Sequence, residues 1–309
     1  MITLSMRRRP MSLLQRREAR AGLLFVLPWL ISLLLFTVYP IIATVFFSFT
    51  DYNIIEAPRW IGLENYQTML TADPDFWKSV GNSAYYALIS VPLGLFFALA
   101  LALLLNIQAR GIGIYRTIFY LPTLVPPVAS TLIFMLMFNP NSGGLMNTLL
   151  GLMGIQPQPW LSDANQARSV LIILSLWSLG AATLIFLAGL KDVPSTLLEA
   201  ASIDGAGAWR RFWHVTLPLL SPVLLFNLVM GVISSFQVFT QAMVIGGTTG
   251  DPQGSTLMFM VMIYRSAFRY FSMGYASALS VILFLAVLLV TLLIFWSARV
   301  WVFYEGGRA

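Results

Sequence analysis

The sequence predicts an all-α protein that crosses a membrane several times. Hydrophobic residues make up 58% of the 309 residues and charged residues only 10%, whereas soluble domains carry about 25% charged residues. The mean hydropathy of +0.81 agrees with this composition. Apolar runs of about 20 residues, the length that crosses the hydrocarbon core as a helix, recur along the chain. We therefore predict a polytopic helical protein with most of its length in lipid.

Six apolar runs are long enough to be spanning helices, and the longer ones can tilt or extend beyond the lipid. Polar segments with Pro, Gly and acidic residues separate them, as in 51–78 and 139–168. The first run is too long for a signal peptide and has no small-residue cleavage site, so we expect it to stay as a span. The predicted spans are 21–49, 80–106, 117–138, 169–190, 215–245 and 276–298.

The Lys and Arg residues predict the topology, because cytoplasmic loops are enriched in them. With the N-terminus inside, thirteen of the eighteen fall in the inner segments 1–20, 107–116, 191–214 and 299–309. Both termini are therefore predicted to be cytoplasmic. The apolar part of 255–270 is too short to span, and we expect an interfacial or re-entrant helix on the outer face. The basic residues in the outer segments are Arg59, Lys78, Arg168, Arg265 and Arg269.

The charged residues also exclude several classes of function. All thirty lie in tails and loops, so the spans hold no ionisable group for a proton relay or an ion site. Neither Lys78 nor Lys191 lies in a phosphate-binding Gly-x-x-x-x-Gly-Lys motif. A single His and no Cys leave no paired-His or thiolate chemistry. We predict a non-enzymatic chain without cofactor or metal site, in which a partner supplies any pumping energy.

The most informative segment is the loop 191–222. Pro194 can start a helix, and Gly205 permits a sharp turn after it. A second helix then places Trp209 and Trp213 on one side. A slim, rigid helix suits insertion into a cleft of another protein, while an amphipathic connector lying on the bilayer is the alternative. The residues expected to carry the docking are Glu199, Ala200, Ala201, Asp204, Gly205, Ala206, Leu217 and Pro218.

These residues resemble the EAA loop of the permease subunits of binding-protein-dependent ABC importers. Other stretches resemble the carbohydrate-uptake branch of that family: Trp177 with 184–190, Asn82-Ser83, Gly246-Gly247 and 274–280. The resemblance covers about residues 22–298. It implies a type I ABC importer transmembrane domain. The short outer loops are more similar to glycerol-phosphate and disaccharide permeases than to a maltose permease with a large periplasmic insertion.

The resemblance implies an assembly in the inner membrane of a bacterium or archaeon. Two different permeases would form the pore, two ATPase subunits would hold Mg-ATP and bind the cytoplasmic loops, and a periplasmic or lipid-anchored binding protein would deliver the substrate. No nucleic acid is expected. The corresponding division is a basic cytoplasmic tail at 1–20, a first span with outer loop at 21–74, a transporter core at 75–300 containing the coupling loop 191–222, and a cytoplasmic tail at 301–309.

A stripe of uncharged polar residues in the fifth predicted span is the candidate substrate contact. Amides and hydroxyls suit sugar hydroxyls, which both donate and accept hydrogen bonds, although such residues also join neighbouring membrane helices. We therefore expect an importer subunit for a sugar or sugar derivative, with a glycerol-phosphate or polyol permease, a passive channel or a membrane scaffold as alternatives. At about 100° per residue, the residues of the stripe fall within roughly 80° of the helix circumference. The stripe consists of Asn227, Ser234, Gln237 and Gln241, and further contacts would come from Asn82, Tyr86 and Trp177.

Overall fold

The computed structural model describes residues 13–107, 109–141 and 143–303, which form a bundle of helices. The predicted helical membrane class is confirmed. Four of the described helices are long and apolar enough to cross a membrane, and the number rises to six if each of two bent helix pairs is one crossing. The six-span count and the side on which the termini lie stay predictions. The outermost parts of both predicted tails, 1–12 and 304–309, lie outside the described residues.

The first span is one long helix made of α1 (Leu13–Leu33), a π-helical turn and α2 (Tyr39–Ser48). The π turn ends two residues before Pro40, which has no N–H for the carbonyl four residues earlier, so a local change of register accommodates the proline. Its most apolar stretch is not buried by the rest of the chain. A short hairpin follows, which the sequence did not predict: β1 (Thr50–Asp51) pairs antiparallel with β2 (Arg59–Trp60).

The longest helix, α4 (Pro74–Leu105), runs through the middle of the bundle after the short α3 (Glu64–Thr71). The Oδ1 atom of Asp73 accepts a hydrogen bond from the N–H of Asp75 at 2.9 Å. An Asp cap followed by Pro in the first turn is a favourable helix start. Because α4 packs against five later helices, it forms a wall shared by most of the interior.

The third predicted span is not one helix. After α5 (Ile112–Tyr120) and a 3₁₀ turn, α6 (Pro127–Met137) departs at an angle of 96°. The residue before a proline is pushed out of the α region, and both Val125 and Pro126 precede one, with ψ of 127° and 137°. The predicted span over 117–138 is therefore built from two helices with a sharp bend at its prolines.

The fourth predicted span is also divided. After α7 (Leu145–Leu152), α8 (Ala164–Trp177) and α9 (Gly180–Asp192) meet at a 46° bend. A Cβ atom on Gly180 would lie 2.9 Å from the carbonyl oxygen of Phe119 and from the Cα of Tyr120. The bend of this pair thus packs closely on the end of α5, which only a glycine permits.

The fifth predicted span contains α12 (Leu217–Phe236) and α13 (Thr240–Gly246), with a break between them. Just before the break, the Ser235 hydroxyl donates to the carbonyl of Val232 at 2.8 Å, and such side-chain bonds compete with the helical ones. The helices α10 (Ser195–Ile203) and α11 (Ala208–Arg211) precede α12 in the chain.

The segment 255–270, expected to be an interfacial or re-entrant helix, is mostly buried in the core. The interfacial alternative is therefore wrong, and the re-entrant one stays a prediction. Only α14 (Phe259–Tyr264) and a π turn form there, and the side chain of Arg265 is just 8% exposed. Its guanidinium donates to Asp75 Oδ2 at 2.8 Å, and burial of a charge requires such a partner. The last helix, α15 (Met273–Trp301), then packs against α2 and α12.

Apolar clusters fill the bundle at both ends. Ala98 of α4, Phe186 of α9 and Leu220 of α12 meet near the end of the bundle that carries α10. Towards the other end, buried side chains of α4, α14 and α15 surround Met262 and Leu279. Between these clusters the helices leave an open space, and all four residues of the predicted polar stripe line it.

Candidate functional site

The segment after α9 folds as a helix that ends in a tight backbone motif. The N–H of Ala206 donates to the carbonyl of Ala201 at 2.9 Å, and the N–H of Gly205 donates to that of Ser202 at 3.1 Å. These are the two bonds of a Schellman ending. Gly205 adopts φ of +80° although a Cβ there would meet nothing within 4 Å. The glycine is therefore required by the backbone conformation and not by lack of space.

The surface of this segment is largely free of contacts with the rest of the described chain. Glu199 and Ala200 are exposed on α10, and Ile203 is 87% exposed. The rings of Trp209 and Trp213 pack edge to face, with centroids 5.6 Å apart. The two predicted helices and the bend between them are thus present, with the predicted aromatic cluster on the second.

The entry into the fifth predicted span, 215–245, lies within a longer helix. The helix is continuous from Ala208 into α12, and a π turn over Phe212–Thr216 precedes the proline. Pro218 cannot donate to the carbonyl of His214, and the π turn accommodates the missing bond as it does before Pro40. Three residues after the bend at Gly205, a continuous helix therefore begins at Ala208 and extends into α12.

A cavity of about 630 Å³ opens between α4, α9, α12 and α13. Its size falls in the range of small-molecule sites, about 300–1,000 Å³. Pro127, at the break between α5 and α6, also lines it, so the cavity lies where the helices are discontinuous. Five of the predicted substrate contacts line it: Tyr86, Asn227, Ser234, Gln237 and Gln241.

The polar stripe is brought together although its helix is broken at 237–239. Asn227 is buried, and its Nδ2 atom donates to the carbonyl of Val223 at 3.0 Å, which leaves the second N–H and the Oδ1 atom for another partner. Ser234 and Gln237 are exposed. None of the described residues that line this cavity carries a charge.

Two predicted contacts lie elsewhere. The Nδ2 atom of Asn82 donates to the carbonyls of Gly254 at 2.8 Å and Leu257 at 3.1 Å, and so fastens the loop before α14 to α4. Trp177 packs edge to face on Phe134 with centroids 5.7 Å apart, and it does not line the cavity. The predicted set therefore divides into five residues at the cavity and two outside it.

Sequence reasoning also missed part of the lining. Hydroxyl groups from α4, the α8–α9 bend and the α12–α13 break contribute to the wall next to Tyr86 and Asn227. A partial signal was available, because Tyr86 and one of these serines are spaced four residues apart, on one helix face. The missed residues are Ser90, Ser175, Ser178, Ser235 and Thr240.

Comparison with known families gives one match that covers most of the chain. Residues 90–301 match the family described as "binding-protein-dependent transport system inner membrane component". The matched range includes the EAA-like loop and most of the cavity lining. The match extends far beyond the loop motif that first suggested the family.

Individual relatives agree with the family. The "Probable ABC transporter permease protein YesP" of Bacillus subtilis (strain 168) is 44% identical over 293 residues, which covers 94% of each chain. The "Trehalose/maltose transport system permease protein MalF" of Thermococcus litoralis is 36% identical over 91% of this chain and 94% of its own. The "Lactose transport system permease protein LacF" of Rhizobium radiobacter is 34% identical over 90% of this chain and 94% of its own.

Solved structures support the fold. A chain from the crystal structure of "a bacterial ABC transporter involved in the import of the acidic polysaccharide alginate" superposes with a TM-score of 0.81. It shares 23% sequence identity, and the alignment covers 93% of this chain and 99% of the other. At this identity the likeness shows a common architecture. The arrangement of helices in this chain is thus one that has been seen in a solved ABC transporter.

Family, relatives and fold agree with the helices described here. A permease of this kind is a non-catalytic, multi-pass subunit of the inner membrane, and ATP is hydrolysed by a separate ATPase. The expectation of a non-enzymatic membrane subunit is confirmed. The chain therefore belongs to the binding-protein-dependent transport system inner membrane components, as a permease subunit of an ABC transporter.

Proposed function

We propose that this chain forms half of the translocation pathway of an ATP-driven importer for a sugar or sugar derivative. The observation that carries the proposal is the cavity, whose described lining combines hydroxyls, amides and apolar groups without a charged side chain. Sugars present many neutral groups that both donate and accept hydrogen bonds, and Ser, Asn and Gln side chains match them.

The same lining disfavours a phosphorylated substrate for this half of the pathway. A phosphate group is best bound by Arg or Lys, which provide charge-assisted hydrogen bonds. No described lining residue is basic. A neutral sugar is therefore favoured over a glycerol phosphate, while a neutral polyol would find similar partners.

The names of the relatives support the same substrate class. Relatives covering about nine tenths of this chain are named for transport of trehalose and maltose, of lactose and of arabinooligosaccharides. Their sequence identities to this chain are similar, at 36%, 34% and 31%, although they are named for different sugars. The relatives therefore support a carbohydrate substrate without selecting one sugar.

The loop with Glu199 and Gly205 would dock in a cleft of an ATPase subunit. Its exposure supports this role, since the surface of α10 is left uncovered by the described chain. The assembly would contain a second permease, two ATPase subunits that bind Mg-ATP, and a solute-binding protein, with no cofactor in this chain. Both termini and the loop would face the cytoplasm, in keeping with the division into the tails 1–20 and 301–309, the first unit 21–74 and the core 75–300.

The test is reconstitution of the complete transporter in proteoliposomes. We expect uptake of a sugar that the binding protein recognises, and we expect it to require ATP on the ATPase side. Screening the binding protein with disaccharides, polyols and glycerol phosphate identifies the class of substrate. Uptake that continues without ATP would support a passive channel and would contradict the proposal.

A further inference from the structure

A second cavity lies at the end of the bundle that carries the EAA-like loop. Its volume is about 490 Å³. It forms where α4 ends, where α5 begins and beside the last turn of α9. We call it the cationic cavity, after the side chains that line it: Arg110, Arg116 and Lys191, together with Asn106.

These cations have no acidic partner in the described chain. The two ion pairs found among the described residues are Arg59–Asp51 and Arg265–Asp75, and neither involves the cationic cavity. No acidic residue lines the cavity among the residues that the structure describes. Three like charges around one space repel one another and attract an anion.

Helix ends explain only part of this arrangement. Carbonyl groups at a helix C-terminus attract cations, and Arg116 donates from Nε and Nη2 to the carbonyl of Leu105 at 3.3 and 2.8 Å. Its Nη1 group is not used in that contact. Arg110 instead lies on the loop beyond α4, just before the turn at Gly111 with φ of +80°, so the end of α4 does not account for it.

The surface next to the cationic cavity is apolar. Ile114, Tyr115 and Ile118 are 67%, 57% and 55% exposed on α5. A charged pocket beside an exposed apolar helix matches a molecule with an anionic head and hydrocarbon tails. Basic pockets at the membrane surface bind lipid head groups in this way.

We propose that the cationic cavity binds the phosphate of an anionic phospholipid headgroup, with the acyl chains lying along α5. Arg110, Arg116 and Lys191 supply charge-assisted hydrogen bonds to the phosphate oxygens. Because Lys191 is three residues before Pro194, which caps α10, the bound lipid is held at the base of the EAA-like loop. The site is separate from the polar cavity, and it does not depend on the identity of the transported sugar.

The test uses the complete transporter, purified and titrated with phosphatidylglycerol or phosphatidylcholine, with bound lipid counted by native mass spectrometry. The variant Arg110→Gln/Lys191→Gln removes two charges and keeps the Arg116 contact with α4. At about 1 kcal/mol per basic residue, we expect the Kd for phosphatidylglycerol to rise roughly fivefold per charge, or about 25-fold in all. Arg299→Gln, an exposed cation in the last turn of α15, is the matched control and should leave the Kd unchanged. If the double variant does not assemble, Lys191→Gln alone serves, with the fivefold effect.

Three results would overturn the proposal. The first is an equal Kd for the wild type and the variant, or an equal loss in Arg299→Gln. The second is inorganic phosphate binding as tightly as phosphatidylglycerol, since the acyl chains would then add nothing and a free anion would be the ligand instead of a lipid. The third is weakened ATPase association in the variant with lipid binding unchanged, which would assign the cavity to a protein partner.

Discussion

The EAA-like loop and the polar cavity differ in how many parts of the chain build them. The loop is made by consecutive residues. Its bend depends on Gly205, whose N–H bonds to Ser202, and on Ala206, whose N–H bonds to Ala201. The cavity is made by residues from Tyr86 to Gln241 on several helices. The first can be written as a short motif, whereas the second exists only after the helices pack.

The largest expected effect lies outside both regions, at a long-range contact that supports the bundle. Asn82→Leu removes a donor from two carbonyls, those of Gly254 and Leu257. At about 1 kcal/mol for each carbonyl left unpaired, we expect a loss of about 2 kcal/mol in stability. Thermal unfolding of the purified complex measures it. The sugar concentration that gives half-maximal uptake should change less than about twofold. A much larger change would mean that Asn82 contacts the substrate after all.

Gly205→Val tests whether the loop depends on its backbone conformation. A β-branched residue at φ of +80° costs about 1–2 kcal/mol. We expect ATP-driven uptake to fall about tenfold because the docking geometry changes, while the bundle stays folded. The control is Gly207→Ala, since Gly207 has φ of −67° and free space around a Cβ. Equal losses in both variants would show that the left-handed turn is not what matters.

Asn227→Leu tests the polar cavity without altering the loop. The substitution removes one neutral hydrogen-bonding group, worth about 1 kcal/mol, so we expect half-saturation for the sugar to rise about fivefold. Leu is compatible with a membrane helix, and ATPase activity without substrate should not change. An unaltered half-saturation would place Asn227 among residues that only join helices, the alternative that its sequence pattern left open.

The smallest effect is expected for a substitution of Trp177, which tests whether its ring packs against another helix or stacks on the sugar. Trp177→Phe keeps an aromatic ring against Phe134, so uptake and half-saturation should change less than about twofold, within the ±0.5 kcal/mol of a tolerated substitution. A rise of tenfold or more would mean that Trp177 provides an aromatic platform for the sugar in the working transporter.

Several features were predictable because they depend on nearby residues. The loop helix, its bend at Gly205 and the aromatic pair of Trp209 and Trp213 follow from local propensities and spacing. The broken third span was only half predictable. Pro126 and Pro127 disfavour a straight helix by their chemistry, but the 96° change of direction also depends on the close packing of Gly180 against the end of α5.

Other features could not be predicted because their partners are far apart in the chain. Arg265 looked like a surface residue until Asp75 was placed 2.8 Å from its guanidinium. Asn82 looked like a substrate contact until the loop at 254–257 was placed against it. In both cases the polar group can be buried because a partner far away in the sequence forms a hydrogen bond with it, and no local sequence pattern reveals which partner that is.

The sequence by itself determined that the protein lies in a membrane, that it is helical and that it carries the loop motif, because hydropathy and local spacing act over a few turns of helix. Only the tertiary structure decided which polar side chains share a cavity, where the spans break and which charges are buried. Those outcomes depend on close packing between segments separated by 190 or more positions in the chain, as for Asp75 and Arg265.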